Sequence, residues 1–293
     1  MRGKVAITLI ILVGLASGLL GFLGGSYFTL NPQKTLKIFW GVATRLPGME
    51  IINTYEEATN VNVEATFAGA GQLLTSISLS KSGDLYLGVG TIYELREAID
   101  KGVIDPTSVR ALAYLVPAII VSKGNPKNIS SLNDLVKPSV KVCLTNPDYG
   151  VGLFTRKLLE YNALWDEIKS KYVEAESGEK AVAYVSLHSV DATVSWHVFY
   201  YWNNEKVDIV WIEPHRIPEI STIPAAILVY TKDRKASETF LDFVSTSKTA
   251  KEIFSKYGYI STLEQATKYT PYTQEQWQRW VEGAKNVIAS LYD

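Results

Sequence analysis

Residues 67–80, FAGAGQLLTSISLS, are the stretch whose residue types and spacing could do chemistry. Three tiny residues, Gly69, Ala70 and Gly71, stand between two patterned runs. The run before them, VNVEATF at 61–67, alternates and predicts a strand; the run after them places Leu73, Leu74 and Ile77 on one helical face. The first amides of a helix lack internal partners and carry the positive end of its dipole. Residues without side chains let a ligand reach those amides, so the chemistry on offer is capture of a small anion. The same wording also describes a tight strand-to-helix connection with no ligand, since glycine-rich turns are common. A second turn repeats the device. The apolar run 140–144 is followed by NPDYGVG, with Tyr149, Gly150 and Val151 at its centre, and then by a helix through Leu153, Leu158 and Leu159. Two such turns facing one another across a cleft would clamp a small ligand. A third loop, GVATR at 41–45, adds Thr44 and Arg45. A cation near a helix N-terminus is unfavourable unless an anion joins it. Catalytic chemistry finds no comparable foothold. His188, His197 and His215 lack metal-ligand spacing, and no nucleophile motif is present. No enzyme, metal site or cofactor is expected.

The elements that must position these turns follow from the pattern. Residues 36–40 read as a strand, and Pro47 opens a helix through Met49, Ile52 and Tyr55. The strand at 61–67, the helix after Gly71, a strand at 84–88 and a helix at 92–101 come next. Strands alternating with helices predict a mainly parallel α/β sheet, whose ligands sit beyond the carboxyl ends of the strands. The run ALAYLVPAIIV at 111–121 reads as one long connecting strand bent at Pro117. Ser131 to Asp134 has capping-box spacing for a short helix. Strands at 191–197 and 207–212, an irregular crossing marked by Pro214, Pro218 and Pro224, and a buried strand at 225–230 follow, then two amphipathic helices. Trp277, Val281, Ile288 and Leu291 mark a last helix.

At the other end, Arg2 and Lys4 precede an uncharged run at 5–33 that is long enough to cross a bilayer. The charge placement puts the remaining 260 or so residues outside the cytoplasm, held by an anchor or exported by a signal peptide. The net charge of −1 gives no field for nucleic acid. Cys143, the single cysteine, lies in an apolar run and reads as a core residue.

The ordered set of phrases FAGAGQLLTSI, SGDLYLGVG, NISSLNDLVKPSVKVCLTNPDYGVG and ETFLDFVSTSKTAKEIFSKYGYI resembles the solute-binding proteins of ABC importers, in their molybdate/tungstate-binding branch. The resemblance runs from about Lys37 to Ile260. It implies a two-lobed, type II periplasmic-binding-protein-like α/β fold with the ligand closed between the lobes. The implied organisation is a signal peptide or anchor at 1–33, a first lobe at 34–113, a second at 114–216, a return to the first at 217–262 and a helical extension at 263–293. It implies a monomer that captures a small oxyanion, molybdate or tungstate first, and delivers it to a membrane permease. The family's ligand positions carry over to Ala43 beside Thr44, to Gly69, Ala70 and Gly71, to Gly150 or Val151, to Gly178 and to Trp196; Tyr149 falls near a further one. The usual hydroxyls of the first two loops are largely absent here, and tryptophan replaces a tyrosine. Either backbone amides hold the oxyanion or the ligand is another solute, such as sulfate, phosphate, an organic anion or a chelated metal. A membrane-anchored sensor domain is the alternative of another class.

Overall fold

The computed structural model describes residues 34–271 apart from 89, 91 and 149. The uncharged run at 5–33 and the helix expected around Trp277 to Leu291 lie outside the described residues. Among those described, no helix is long and apolar enough to cross a membrane.

The first sheet is built by the expected alternation: β1 (Thr35–Gly41), α1 (Arg45–Thr59), β2 (Asn62–Ala68), α2 (Ala70–Ser80), β3 (Leu85–Leu87) and α3 (Ile92–Asp100). Leu36, Ile38 and Trp40 alternate onto one face of β1, while Thr35 and Lys37 are exposed and Phe39 packs on the other face against the cluster of Leu73 and Tyr86. The residues at 111–121 form two strands, β4 (Arg110–Leu115) and β5 (Pro117–Ser122), which belong to different sheets. The break falls at Val116, since Pro117 lacks a ladder N–H and is tolerated as the first residue of a strand. The second sheet is completed by β6 (Val142–Thr145), β7 (Val173–Ala175), β8 (Ala192–Trp196) and β9 (Val207–Trp211). Between these lie α4 (Gly150–Tyr161), α5 (Trp165–Ile168), α6 (Gly178–Ser186) and α7 (Val198–Tyr201). The chain returns in β10 (Ser221–Ile227), then α8 (Arg234–Thr246), α9 (Lys248–Lys256) and the short α10 (Leu263–Ala266). The capping box expected at Ser131 is formed, on a 3-10 turn over Leu132–Val136.

The two sheets share one plan. Their orders are β2-β1-β3-β10-β4 and β7-β6-β8-β5-β9. In each, three parallel strands meet one antiparallel strand, which pairs in turn with the last. The central strands β5, β6, β8 and β10 are buried throughout, as strands covered on both faces must be. β10 begins earlier than its apolar run suggests and takes in Pro224. Proline fits because the register with β4 shifts between Ile223 and Pro224, where a ladder N–H is dispensable.

Helices α2 and α3 cover one face of the first sheet through Leu73, Leu74, Ile77, Leu95 and Ile99. Helices α4 and α5 cover one face of the second through Leu158, Leu159 and Ile168. A third apolar cluster runs through both sheets, from Ile51, Phe240 and Phe254 by way of Leu115 and Ile223 to Trp196, Val182 and Val185. Cys143 belongs to it; burial pushes its thiol up to about 11.

Candidate functional site

Parallel pairing fixes where the loops go. Gly41 of β1 is level with Ala68 of β2, and Trp40 is level with Leu87 of β3, so the loops after all three strands leave the same sheet end. In the second sheet Thr145 of β6 is level with Ala175 of β7. A cavity of about 130 Å³ joins these ends between the two lobes. That is small beside the roughly 300–1,000 Å³ of pockets for drug-sized molecules, and it suits a solute of few heavy atoms.

From the first lobe the cavity is lined by Ala43 and Thr44 after β1 and by Gly88, Gly90 and Glu94 after β3. From the second it is lined by Gly150 and Val151 at the start of α4 and by Trp196 at the end of β8. Leu115 and Ile223, on strands beside the crossing, together with Val198, Phe199 and Tyr259, complete a mostly apolar wall. Five residues expected from sequence are thus brought together: Ala43, Thr44, Gly150, Val151 and Trp196.

The local packing around Thr44 is tight. The buried Trp40 indole donates to Thr44 Oγ1 at 2.8 Å, and the hydroxyl donates onward to the Gly41 carbonyl at 3.1 Å. Thr44 therefore has no hydrogen left for an anion, and its hydroxyl is a scaffold for the loop. Gly88 closes the same corner with φ +64°. A Cβ there would overlap Thr44 Oγ1 and the Trp40 ring, so only glycine fits. Tyr259 donates from its hydroxyl to the Ala43 carbonyl at 2.6 Å, and burial holds its phenol well above the usual range. On the second lobe, Gly152 in the first turn of α4 lies so close to the Asn146 carbonyl that any Cβ would strike it. Trp196 packs edge-on against Phe154, with ring centroids 4.9 Å apart.

The other expected residues sit elsewhere. Arg45 lies over the Phe67 ring, 5.9 Å from its centroid, and is absent from the cavity lining. Its charge is met by an aromatic face that stacks in turn on Trp40. Gly69, Ala70 and Gly71 start α2, which has no side-chain cap, but they do not line the cavity, and open space surrounds Gly71. Gly178 stands behind the lining: a Cβ there would meet Phe199, Val151 and the Ser195 hydroxyl, which is buried without a partner. Tyr149 lies outside the described residues. Sequence reasoning missed Gly88, Gly90 and Glu94. The signal was present, since GVG-T-I-Y-E follows the third parallel strand as the other loops follow the first two. Nothing local pointed to Leu115, Ile223 or Tyr259.

His197, next to Trp196, is structural. Its Nδ1 accepts from the Val116 N–H at 3.1 Å, and its Nε2 lies 3.1 Å from the Gly258 carbonyl, to which it donates. Burial depresses its pKa to about 4. No group of three metal-ligating side chains occurs among the described residues.

A family profile described as bacterial extracellular solute-binding protein matches residues 36–260. A putative binding protein of Haemophilus influenzae is 23% identical over 232 residues, covering 77% of this chain and 90% of that one. The molybdate-binding protein ModA of Mycobacterium tuberculosis is 29% identical over 100 residues, which cover 33% of this chain and 37% of ModA. Among solved structures, the substrate-binding domain of a putative molybdenum ABC transporter from Clostridium difficile superposes with a TM-score of 0.67 at 19% identity, covering 78% of this chain and 99% of that one.

Proposed function

The chain belongs to the bacterial extracellular solute-binding proteins, and on that premise we propose that it captures a small oxyanion between its lobes outside the cytoplasm and passes it to an ABC permease. The observation that carries this reading is the small cavity where strand ends from both sheets converge. Two features support an anion as the occupant. α1 begins at the lining residue Thr44 without a side-chain cap. α4 opens on Gly150 and Val151, inside the lining. Amides at helix starts favour negative charge. The run at 5–33 would hold the protein at the membrane or export it.

The test is a thermal-shift panel of molybdate, tungstate, sulfate and phosphate on residues 34–293, with Ala43→Trp as control. Ala43 is exposed on the cavity rim, so the larger ring should block the cleft at little cost to folding. A ligand at 100 times its Kd adds about 2.7 kcal/mol to stability. A shift in the parent and none in Ala43→Trp is expected. Equal shifts in both, or none from any solute, would place the binding elsewhere or refute it.

A further inference from the structure

Tyr259 lines a second cavity as well as the cleft, and this one has a volume of about 310 Å³. Among the described residues its walls come from distant parts of the chain: Tyr201 on α7 and Trp211 at the end of β9 from the second lobe, and Tyr269 from the run after α10. Four rings follow one another around it. Tyr201 stands edge-on to His197 with centroids 6.4 Å apart, His197 lies 5.9 Å from Trp211, and Trp211 lies 4.7 Å from Tyr269. Two of these rings are nevertheless left open, Tyr201 at 46% and Trp211 at 37% exposed. Aromatic side chains gathered in a concavity and left partly in water mark a surface that something covers.

The chain itself leaves from the rim of this cavity. The described residues end at Pro271, just past Tyr269. The point of departure is fixed, since Thr270 is buried with its hydroxyl directed at the Ile217 carbonyl and Tyr269 is packed on Trp211. Residues 272–293 then carry Trp277, Trp280, Val281, Ala284, Ile288 and Leu291 at helical spacing. Such an apolar stripe has to be covered by another surface. It also lies outside the span that the family profile matches, which ends at residue 260. The distance is short: the eight residues from Tyr269 to Trp277 cover about 12 Å as a helix and at most about 29 Å extended. We propose that the segment after Pro271 turns back on its own chain and seats Trp277 among Tyr201, Trp211 and Tyr269. The seated ring ties α7 and β9 to the end of the described chain. It also braces the wall that carries Tyr259, whose hydroxyl holds the Ala43 carbonyl of the cleft loop. The identity of the cleft ligand does not enter this inference.

The experiment uses residues 34–293 labelled with 5-fluorotryptophan, so that each of the 7 tryptophans gives a fluorine resonance, assigned by exchange to phenylalanine. Trp277→Phe should remove one resonance and displace that of Trp211, while the resonance of Trp165, which packs on Tyr172 elsewhere in the second lobe, stays in place. Phenylalanine keeps an aromatic ring in the seat, so this arm does not depend on a truncated side chain being tolerated. A double-mutant cycle reads the same contact by urea unfolding. Trp277→Ala should lower the folding equilibrium constant at least about tenfold in the parent and less than about threefold in a Trp211→Ala background, in keeping with the worth of a buried aromatic contact. In a background of Leu79→Ala, an exposed position on α2, the tenfold loss should return. A Trp211 resonance unmoved by Trp277→Phe, or an equal loss with and without Trp211, would overturn the proposal. So would a Trp211 resonance that answers to Trp280→Phe alone, or one that shifts when free indole is added to the parent, since the seat would then hold another ring or stand open. A dimer that Trp277→Ala dissociates would put Trp277 in a second copy and overturn the return within one chain.

Discussion

Acidification should withdraw a defined share of stability through His197. The side chain is 1% exposed and joins three places: the end of β8, the crossing residue Val116 and Gly258 after α9. Its Nδ1 acts as an acceptor, so the ring is held neutral, with a pKa of about 4 against an ordinary 6.5. The unfolded chain takes up a proton as pH falls through 6.5 and the folded chain does not, so stability falls with pH across that window. At about 1.4 kcal/mol per pH unit, the whole window is worth about 3 kcal/mol, and descent from pH 7.5 to 5.0 should cost about 2 kcal/mol. The other two histidines, His188 and His215, are exposed. The carboxylates held below their usual range, at Glu50, Asp105, Asp134 and Asp208, act in the opposite direction of shift. Their stabilisation is present above the unfolded carboxylate range and is lost below it, so they leave the window from 6.5 to about 4.5 to His197. Urea unfolding of residues 34–293 at pH 7.5, 6.0 and 5.0 reads the effect. His197→Gln does not titrate; it should be less stable at pH 7.5 and nearly flat over the same range. Parallel pH curves for the parent and His197→Gln would refute the reasoning.

Gly88→Ala should destabilise by about 2–3 kcal/mol, since it adds positive-φ strain to a collision with Thr44 and Trp40; a thermal midpoint within a degree of the parent would mean the β3–α3 corner is not as drawn. Gly71→Val meets open space at an ordinary backbone conformation outside the lining, so its affinity for the best ligand should stay within about threefold of the parent, about 0.7 kcal/mol; a loss of tenfold or more by calorimetry would bring the turn after β2 into the site.

The alternation over residues 35–100 was legible because half-buried and fully buried strands write different patterns, and both occur here. The crossing at Val116 was not, since an apolar run of eleven residues looks continuous until its two halves are assigned to different sheets. The apolar run 225–230 places β10 too far along the chain, because Pro218 and Pro224 signal irregular chain, whereas a register shift lets the strand, Ser221–Ile227, absorb Pro224. The site divides in the same way. Its glycine-rich loops advertise themselves by lacking side chains. Leu115, Ile223 and Tyr259 come into the cavity through non-local packing, and no local pattern marks them. Arg45 shows local logic overruled by its neighbour on the sheet. A cation at a helix start calls for an anion, but Phe67 comes up beside it on β2 and supplies a π face instead.

The hydroxyls at the first loop, of Thr44 within it and of Tyr259 packed onto it, bear on how a cleft poor in polar side chains can still favour a solute with acceptor atoms. Thr44 spends its hydrogen on the Gly41 carbonyl and Tyr259 spends its own on the Ala43 carbonyl. Both bonds satisfy carbonyl oxygens of the loop after β1. What the loop then has to offer is N–H groups at the start of α1, which no side chain caps. Leu115, Val198, Phe199 and Ile223 keep the surroundings apolar, and in such surroundings each hydrogen bond to a charged atom counts for more than it does in water.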